Sequence, residues 1–268
     1  MPGDNNSVHR ADFLQDAPLD SQSILTTLRG LDRQKQDLFI IASLVLLAFA
    51  FRIYSLQFFH VISTDGTGYV DAARALGRGN LTGIGINGFY SVMIWVASRV
   101  ITDLELAGRV VSILLGSLLI VPLYLLGRDV FSRQVAFCAS LLAVVWPPLV
   151  SSSCEVMTQA SYDVIQLTGI YLVWRMFRQP SATTGALAGL CIGLTYLTRP
   201  EGVLLFLLVP LPFLFFRHRE IRGNWSVLVA YVAGFSILFG LNVLLVHHIT
   251  GEWQISAKTD SALNDALS

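Results

Sequence analysis

About seven long apolar stretches follow one another along the chain, separated by short polar segments. A transmembrane helix needs about 20 mostly apolar residues, because its rise of about 1.5 Å per residue must cross a hydrocarbon core of about 30 Å. The pattern therefore predicts an all-α fold, a polytopic bundle of about seven membrane-spanning helices. The predicted spans are residues 38–59, 110–127, 134–152, 157–174, 184–198, 202–216 and 225–246.

A shorter apolar segment, residues 86–98, decides how the predicted helices alternate across the membrane. At about 1.5 Å per residue it is too short to cross the core, so we predict an interfacial or re-entrant segment. With a cytoplasmic N-terminus, eleven Arg and Lys residues then lie on the cytoplasmic side and six on the outer side. Cytoplasmic loops carry such an excess, whereas a spanning 86–98 segment would reverse it. The eleven are Arg10, Arg29, Arg33, Lys35, Arg128, Arg133, Arg175, Arg178, Arg217, Arg219 and Arg222.

This topology divides the chain into three predicted parts. Residues 1–37 form a cytoplasmic tail, residues 38–250 a transmembrane domain whose first outer loop is 60–109, and residues 251–268 an outer tail. The composition agrees, because 54% of the residues are apolar and only 13% are charged, against about 25% charged in soluble proteins. The formal net charge of zero gives no bulk attraction to nucleic acid.

The polar residues that could carry chemistry collect on the predicted outer side. Asp65 lies in the first outer loop, Glu155 in the second, and Arg199 and Glu201 in the third. The predicted cytoplasmic loops are short and basic, as plain anchors would be. We therefore expect any functional site to face outward.

The segment 63–76 of the first outer loop predicts a short amphipathic helix at the membrane interface. Its apolar positions at helical spacing are Tyr69, Ala72, Ala73 and Leu76. Thr67 is the predicted N-cap, which places Asp65 in the glycine-flanked turn before the helix. Asp65 is then either a solvated carboxylate that helps to cap the helix or a base that takes a proton from an acceptor.

Arg199 lies at the junction of two predicted spans, where an unpaired guanidinium is costly. Arg199 could pair with a carboxylate, that of Glu201 or Glu155. Alternatively, it could bind a lipid-linked phosphate, because the forked N–H donors of a guanidinium match phosphate oxygens. Arg109 directly precedes the second predicted span, residues 110–127. It either reaches the lipid head groups or contributes to the same anion site as Arg199. Asp163 either pairs with Arg109 or lines a polar cavity.

No nucleotide-binding loop or nucleophile elbow is present. The glycine-rich residues 82–88 have no strand before them, so we predict a turn there. The sequence shows no metal-ligand spacing, and no cofactor is predicted; a divalent cation is kept as an open alternative. The three cysteines lie in or beside apolar runs, so we predict that they pack as small apolar residues.

The order of these segments resembles the C-type (GT-C) membrane glycosyltransferases, in particular the family-39 group, which includes protein O-mannosyltransferases and lipid A aminoarabinose transferases. Five stretches carry the resemblance, and the last is the most specific. They are RIYSL at 52–56, DGTGY at 65–69, GRVVS at 108–112, SCE at 153–155, and GLCIGLTYLTRPEG at 189–202.

The resemblance implies transfer of a sugar from a polyprenyl-phosphate donor to a lipid, glycan or protein acceptor, with inversion at the anomeric carbon. It implies that Asp65 is the catalytic carboxylate of the first outer loop, which would act as the base. In this interpretation Arg199, together with Arg109, offsets the charge of the donor phosphate. Glu155, Glu201 and Tyr69 are further site candidates. Members usually have a second acid beside the first, and here Gly66 stands at that position.

Members of the group continue with further spans, so the sequence is expected to correspond to the N-terminal half, in a bacterial inner (plasma) membrane. Two alternatives stay open at this point. One is a transporter or flippase-like protein, although the repeated halves that transporters often show are not evident. The other is a truncated chain without activity.

Overall fold

The computed structural model describes residues 21–59, 61–209 and 225–253, and these residues form helices and connecting segments without a β-strand. The all-α prediction is therefore confirmed. A short 3₁₀ helix, Leu56–Phe58, follows α1. The α-helices are α1 Ser21–Ser55, α2 Thr64–Gly77, α3 Thr82–Ala97, α4 Leu104–Leu118, α5 Ile120–Val130, α6 Arg133–Val145, α7 Pro147–Cys154, α8 Gln159–Arg178, α9 Ala182–Thr198, α10 Gly202–Leu208 and α11 Trp225–Thr250.

The chain divides into two compact units, residues 1–40 and 41–268. In the first unit, the described residues 21–40 belong to α1. The second unit contains helices α2 to α11 and every residue of the candidate site. The boundaries predicted for the tails at 37 and 251 stay predictions.

Three helices among the described residues are long and apolar enough to cross a membrane: Asp32–Phe58, Leu104–Val130 and Trp225–Ile249. The helices Arg133–Val145 and Pro147–Cys154, bent by 52°, make a fourth if they form one span. Ala182–Thr198 and Gly88–Ala97 are shorter apolar helices. These helices support an integral membrane protein, whereas the count of seven spans stays a prediction, and part of the predicted span 202–216 lies outside the described residues.

Helix α6 ends where the sequence reads Trp146-Pro147-Pro148. Proline has no N–H to continue the hydrogen-bond ladder, and it forces the residue before it out of helical geometry. Trp146 accordingly has ψ of 115°, and α7 begins with Pro147 at its first turn. The chain bends here by 52°, and α7 then continues into the segment that links it to α8, residues 155–158.

Helix α2 begins earlier than the sequence suggested. Its N-cap is Ser63, whose side chain accepts a hydrogen bond from the Gly66 amide at 3.1 Å. Thr67 lies inside the helix, where its hydroxyl donates to the Thr64 carbonyl at 2.7 Å. The prediction of Thr67 as N-cap was therefore wrong, and Asp65 lies in the first helical turn. Tyr69 and Ala73 are buried on one face, and the interfacial position of α2 stays a prediction.

The glycine-rich residues 82–88 were predicted as a turn, and this was wrong for most of the segment. Helix α3 begins at Thr82 and is interrupted only at Gly88, which has φ of 50° and ψ of −137°. A Cβ at Gly88 would stand 2.3 Å from the carbonyl oxygen of Leu197. Glycine is required here both for the positive φ and for the close approach of α3 to α9.

Helices α9 and α11 pack closely because glycines lie between their backbones. A Cβ at Gly189 would stand 2.0 Å from the Tyr231 carbonyl oxygen, and a Cβ at Gly185 would stand 2.4 Å from that of Val227. Small residues permit this approach in membrane helix pairs, where lipid gives little hydrophobic drive for association. Ala188 and Ile192 are fully buried beside this contact.

We expect the substitution Gly189→Ala to destabilise the protein by about 1–3 kcal/mol, because overpacking a close contact has costs in this range. The clash is with backbone, so a side-chain rotation cannot relieve it. Thermal unfolding in detergent measures the effect. Gly240→Ala in α11 is the control, because a Cβ there meets nothing within 4 Å and alanine favours the helix by up to about 1 kcal/mol. Equal midpoints for the two variants would contradict the close packing.

Candidate active site

The candidate site is built around the segment that joins α7 to α8, residues 155–158. This connecting segment is held by the amide of Glu155, which donates to Ser151 at 3.2 Å, and by the amide of Met157, which donates to the Glu155 carbonyl at 3.0 Å. Glu155 is half-buried, and Val156 is buried at 1% exposure. Three other helices contact this segment or its ends, as the following contacts show.

Asp65 is exposed in the first turn of α2. Its neighbour Gly66 lies against the connecting segment, because a Cβ on Gly66 would stand 2.9 Å from the Val156 carbonyl oxygen. The helix that carries Asp65 is therefore docked beside Glu155. A carboxylate in the first turn of a helix is also favoured by the partial positive charge of the helix N-terminus.

Arg109 is buried in α4, with 7% of the residue exposed. Its Nη1 donates to the Phe59 carbonyl at 2.6 Å and to the Cys154 carbonyl at 3.4 Å. Its Nε and Nη2 donate to Glu105 at 3.1 and 2.9 Å. The alternative in which Arg109 reaches the lipid head groups is therefore wrong. The guanidinium instead joins the ends of three chain segments, and its partners pair it with Glu105 and not with Asp163.

Arg199 forms the C-cap of α9, and about a third of its side chain is exposed. Its Nη2 lies 3.2 Å from Glu201, which confirms the expected ion pair with that residue. Its Nη1 donates to Gln159 at 2.6 Å, and the guanidinium lies 5.6 Å from the centre of the Tyr162 ring. Arg199 is thus held against the start of α8, directly after the connecting segment.

Asp163 lies on the other side of the same glutamine. The Gln159 amide donates to its carboxylate at 3.4 Å, so Gln159 bridges Asp163 and Arg199. Sequence reasoning missed Gln159. The signal that could have indicated it is the spacing of four residues between two polar side chains at the start of an apolar helix.

Tyr69 packs inside the protein, with 4% of the residue exposed. Its ring makes an edge contact with Tyr90, with 5.3 Å between the ring centres. The Tyr90 hydroxyl is paired with Ser112 at 2.7 Å and donates to the Gly108 carbonyl at 3.1 Å. Tyr69 and Tyr90 therefore pack α2 against α3, and the Tyr90 hydroxyl links α3 to α4.

The match to a known family begins at residue 89, beside Tyr90, and covers the later part of the candidate site. The family model described as dolichyl-phosphate-mannose-protein mannosyltransferase matches residues 89–245, which is more than half of the chain. The chain belongs to this mannosyltransferase family. A search of curated proteins found no match.

Membership of the mannosyltransferase family confirms the resemblance to GT-C glycosyltransferases and the assignment of the protein as a membrane glycosyltransferase. The matched residues include Arg109, Glu155, Arg199 and Glu201, whereas Asp65 and Tyr69 precede the match. The docking of α2 on the connecting segment is thus the observation that places Asp65 beside the matched part of the site.

A second buried arginine lies near the candidate site. Arg52 in α1 is fully buried, and its Nη1 donates to the Ala48 carbonyl at 3.2 Å. The Cys154 thiol donates to the Arg52 carbonyl at 3.5 Å, so the end of α7 contacts both Arg52 and Arg109.

Among residues 21–59, 61–209 and 225–253, no group of three or more His, Cys, Asp or Glu side chains is arranged to hold a metal ion. The free cysteines Cys138, Cys154 and Cys191 are far apart in sequence, and Cys154 is buried.

Proposed function

We propose that the protein transfers a sugar from a polyprenyl-phosphate donor to a lipid, glycan or protein acceptor on the outer face of a bacterial inner (plasma) membrane. The observation that supports this best is that the parts of the chain carrying four candidate residues meet at residues 154–159. Glu155 belongs to this stretch, and Gly66, the neighbour of Asp65, packs against the Val156 carbonyl. Arg109 donates a hydrogen bond to the Cys154 carbonyl, and Arg199 donates one to the Gln159 side chain.

In the proposed reaction Asp65 is the general base. An acceptor O–H or N–H donates its proton to the Asp65 carboxylate as the acceptor atom forms a bond to the anomeric carbon. The bond from that carbon to the phosphate oxygen breaks at the same time, and polyprenyl phosphate leaves. Attack from the face opposite to the leaving group inverts the anomeric centre. The exposure of Asp65 in the first turn of α2 gives an acceptor access to it.

The leaving phosphate gains negative charge, and Arg199 is proposed to offset it. A guanidinium has five N–H donors, and the bonds to Gln159 and Glu201 hold the side chain in one orientation. Because the Glu201 contact is partly exposed, it contributes little energy and can yield to a phosphate. Arg109 is more deeply buried and paired with Glu105, so its proposed part is to hold the connecting segment through the Cys154 carbonyl and to lie near the donor phosphate.

Glu155 is proposed to hold a hydroxyl group of the acceptor or of the sugar. Its carboxylate accepts hydrogen bonds from hydroxyl groups, and its half-buried position keeps it at the surface of the site. Glu201 is proposed to orient Arg199. Neither role requires a metal ion, although a divalent cation bound with the donor phosphate would supply further positive charge.

The outward orientation is tested by labelling single cysteines in a cysteine-free background. We expect Ser132→Cys to be protected from a membrane-impermeant thiol reagent in intact cells, because residues 128–133 form a predicted cytoplasmic loop with an Arg excess. Thr102→Cys is the outer control, because Thr102 is exposed in the predicted outer loop. Labelling of Ser132→Cys from outside, with Thr102→Cys protected, would reverse the proposed topology.

The proposed function is tested with the full-length protein in vesicles that contain a polyprenyl-phosphate [¹⁴C]mannose donor and an acceptor fraction from cells lacking the protein. We expect the label to move from the donor lipid into acceptor material. Movement of intact labelled donor to the opposite leaflet without cleavage would identify a flippase instead. If the label neither moves nor leaves the lipid, the protein is not acting on this donor.

A further inference from the structure

Val156 is held between two glycines that belong to different helices. Its carbonyl oxygen would stand 2.9 Å from a Cβ on Gly66 of α2, and its Cγ1 would stand 2.8 Å from a Cβ on Gly108 of α4. Ordinary contacts between carbon atoms are about 3.5–4.0 Å, so neither position has room for a methyl group. The three residues Gly66, Val156 and Gly108 are called the glycine clamp below.

Each member of the glycine clamp is the chain neighbour of a proposed site residue. Gly66 follows Asp65, Val156 follows Glu155, and Gly108 precedes Arg109. Because one peptide unit is rigid and joins neighbouring Cα atoms about 3.8 Å apart, a shift of a clamp residue carries its neighbour with it. The contacts of the clamp therefore limit how far the backbone at Asp65, Glu155 and Arg109 can shift.

The surroundings leave the clamp little freedom to relax. A Cβ on Gly66 would also stand 2.8 Å from Ile62 Cγ1 and 3.2 Å from Ser63 Oγ, so it cannot turn away from Val156. The residues on either side of Val156 are fixed as well. Arg109 donates to the Cys154 carbonyl at 3.4 Å, and the Ser112 hydroxyl lies 3.5 Å from the Met157 carbonyl.

We propose that the glycine clamp is a positioning device for catalysis, in which Gly66 and Gly108 set the placement of the base Asp65 relative to Glu155 and Arg109. This inference rests on the proposed sugar transfer. A methyl group at either glycine forces a displacement of about 0.5–1 Å to restore normal contact distances. Displacements of about 1 Å can lower a catalytic rate by about a hundredfold.

The test measures kcat and the KM for polyprenyl-phosphate mannose with the full-length protein in vesicles. We expect Gly66→Ala and Gly108→Ala to lower kcat by about tenfold or more, with the donor KM within a factor of about two of wild type, because the loss falls on the transition state. Gly77→Ala is the matched control. It lies in α2 as well, and a Cβ there meets only Trp95, at 3.8 Å.

Second-site rescue separates positioning from a general loss of stability. The severe Gly108 clash is with Val156 Cγ1 at 2.8 Å, whereas Ile94 Cδ1, at 3.3 Å, is the end of a flexible side chain that can shift. Val156→Ala should therefore restore kcat in the Gly108→Ala background. The Gly66 clash is with the main-chain carbonyl of Val156, which Val156→Ala leaves in place. The Gly66→Ala defect should therefore persist in the double variant. Rescue of both defects, or of neither, would overturn the assigned contacts.

Three further outcomes are distinguishable. If the glycine variants do not fold, Val156→Ala alone decides, because it loosens the clamp without a clash; we expect a severalfold lower kcat at unchanged KM, and a wild-type kcat would overturn the inference. If wild type transfers sugar and both glycine variants match it, the clamp is rejected while the proposed function stands. If wild type does not transfer sugar, the proposed function fails, and the clamp's catalytic role fails with it.

Discussion

Replacing Asp65 with asparagine is expected to abolish sugar transfer while the protein remains inserted and folded. An acceptor hydroxyl keeps its proton near neutral pH, and general-base assistance is worth about a hundred- to ten-thousandfold in rate. Asparagine has the same size as aspartate but cannot take the proton. The stability cost should be small, because Asp65 is exposed and the helix is capped by Ser63; the loss of a charge in the first turn costs about 0.3–1 kcal/mol.

The matched control for this substitution is Asp71→Asn. Asp71 lies in the same helix, is exposed, and forms a surface ion pair with Arg74. Exposed ion pairs contribute about 0–1 kcal/mol, so we expect near wild-type transfer. Both variants are compared by the initial rate of label transfer at equal amounts of folded protein. Near wild-type transfer by Asp65→Asn would show that Asp65 is not the base.

The second large effect is expected at Arg199. Replacing it with alanine should weaken binding of a polyprenyl-phosphate lipid by about tenfold to a hundredfold, because hydrogen bonds to a charged group contribute about 1.5–3 kcal/mol. Arg199 is suited to this role because its partly exposed guanidinium is fixed by Gln159 and Glu201. Equilibrium binding of labelled polyprenyl phosphate to the purified protein measures the change.

Arg128→Ala is the control for Arg199→Ala. Arg128 is also an arginine at the end of an apolar helix, and it pairs with Asp129 at 2.8 Å, but the predicted topology places it on the cytoplasmic side. We expect its substitution to leave lipid binding near the wild-type value. Equal affinities for wild type and both variants would remove Arg199 from the phosphate site.

The sequence was sufficient to predict the helical class, the membrane location and the family. These properties depend on composition, on the length of apolar stretches and on the order of motifs, all of which can be read along the chain. The pairing of Arg199 with Glu201 could also be anticipated, because the two residues are close in sequence. Local patterns are reliable where the interaction is itself local.

The partners of Arg109 could not be predicted in this way. Its carbonyl acceptors belong to Phe59 and Cys154, which are 50 and 45 residues away. Apolar periodicity gives no information on which helices meet at such a distance. Arg109 therefore looked like a residue that could reach the head groups, whereas the fold buries it.

The start of α2 was misjudged for a different reason. Ser63 and Thr67 are both suitable N-caps, and only the fold shows that Ser63 accepts the Gly66 amide hydrogen bond. The packing around Gly66 explains why glycine stands at this position. A larger side chain there would meet the Val156 carbonyl and Ile62.

The central claim is that the protein breaks the bond between the sugar and the polyprenyl phosphate. The most direct measurement is the amount of free polyprenyl phosphate released from polyprenyl-phosphate mannose, determined by mass spectrometry in vesicles containing the full-length protein and the acceptor fraction. The account predicts one polyprenyl phosphate for each sugar transferred, and release near background for Asp65→Asn. Release at background with wild type, or equal release by wild type and Asp65→Asn, would contradict it.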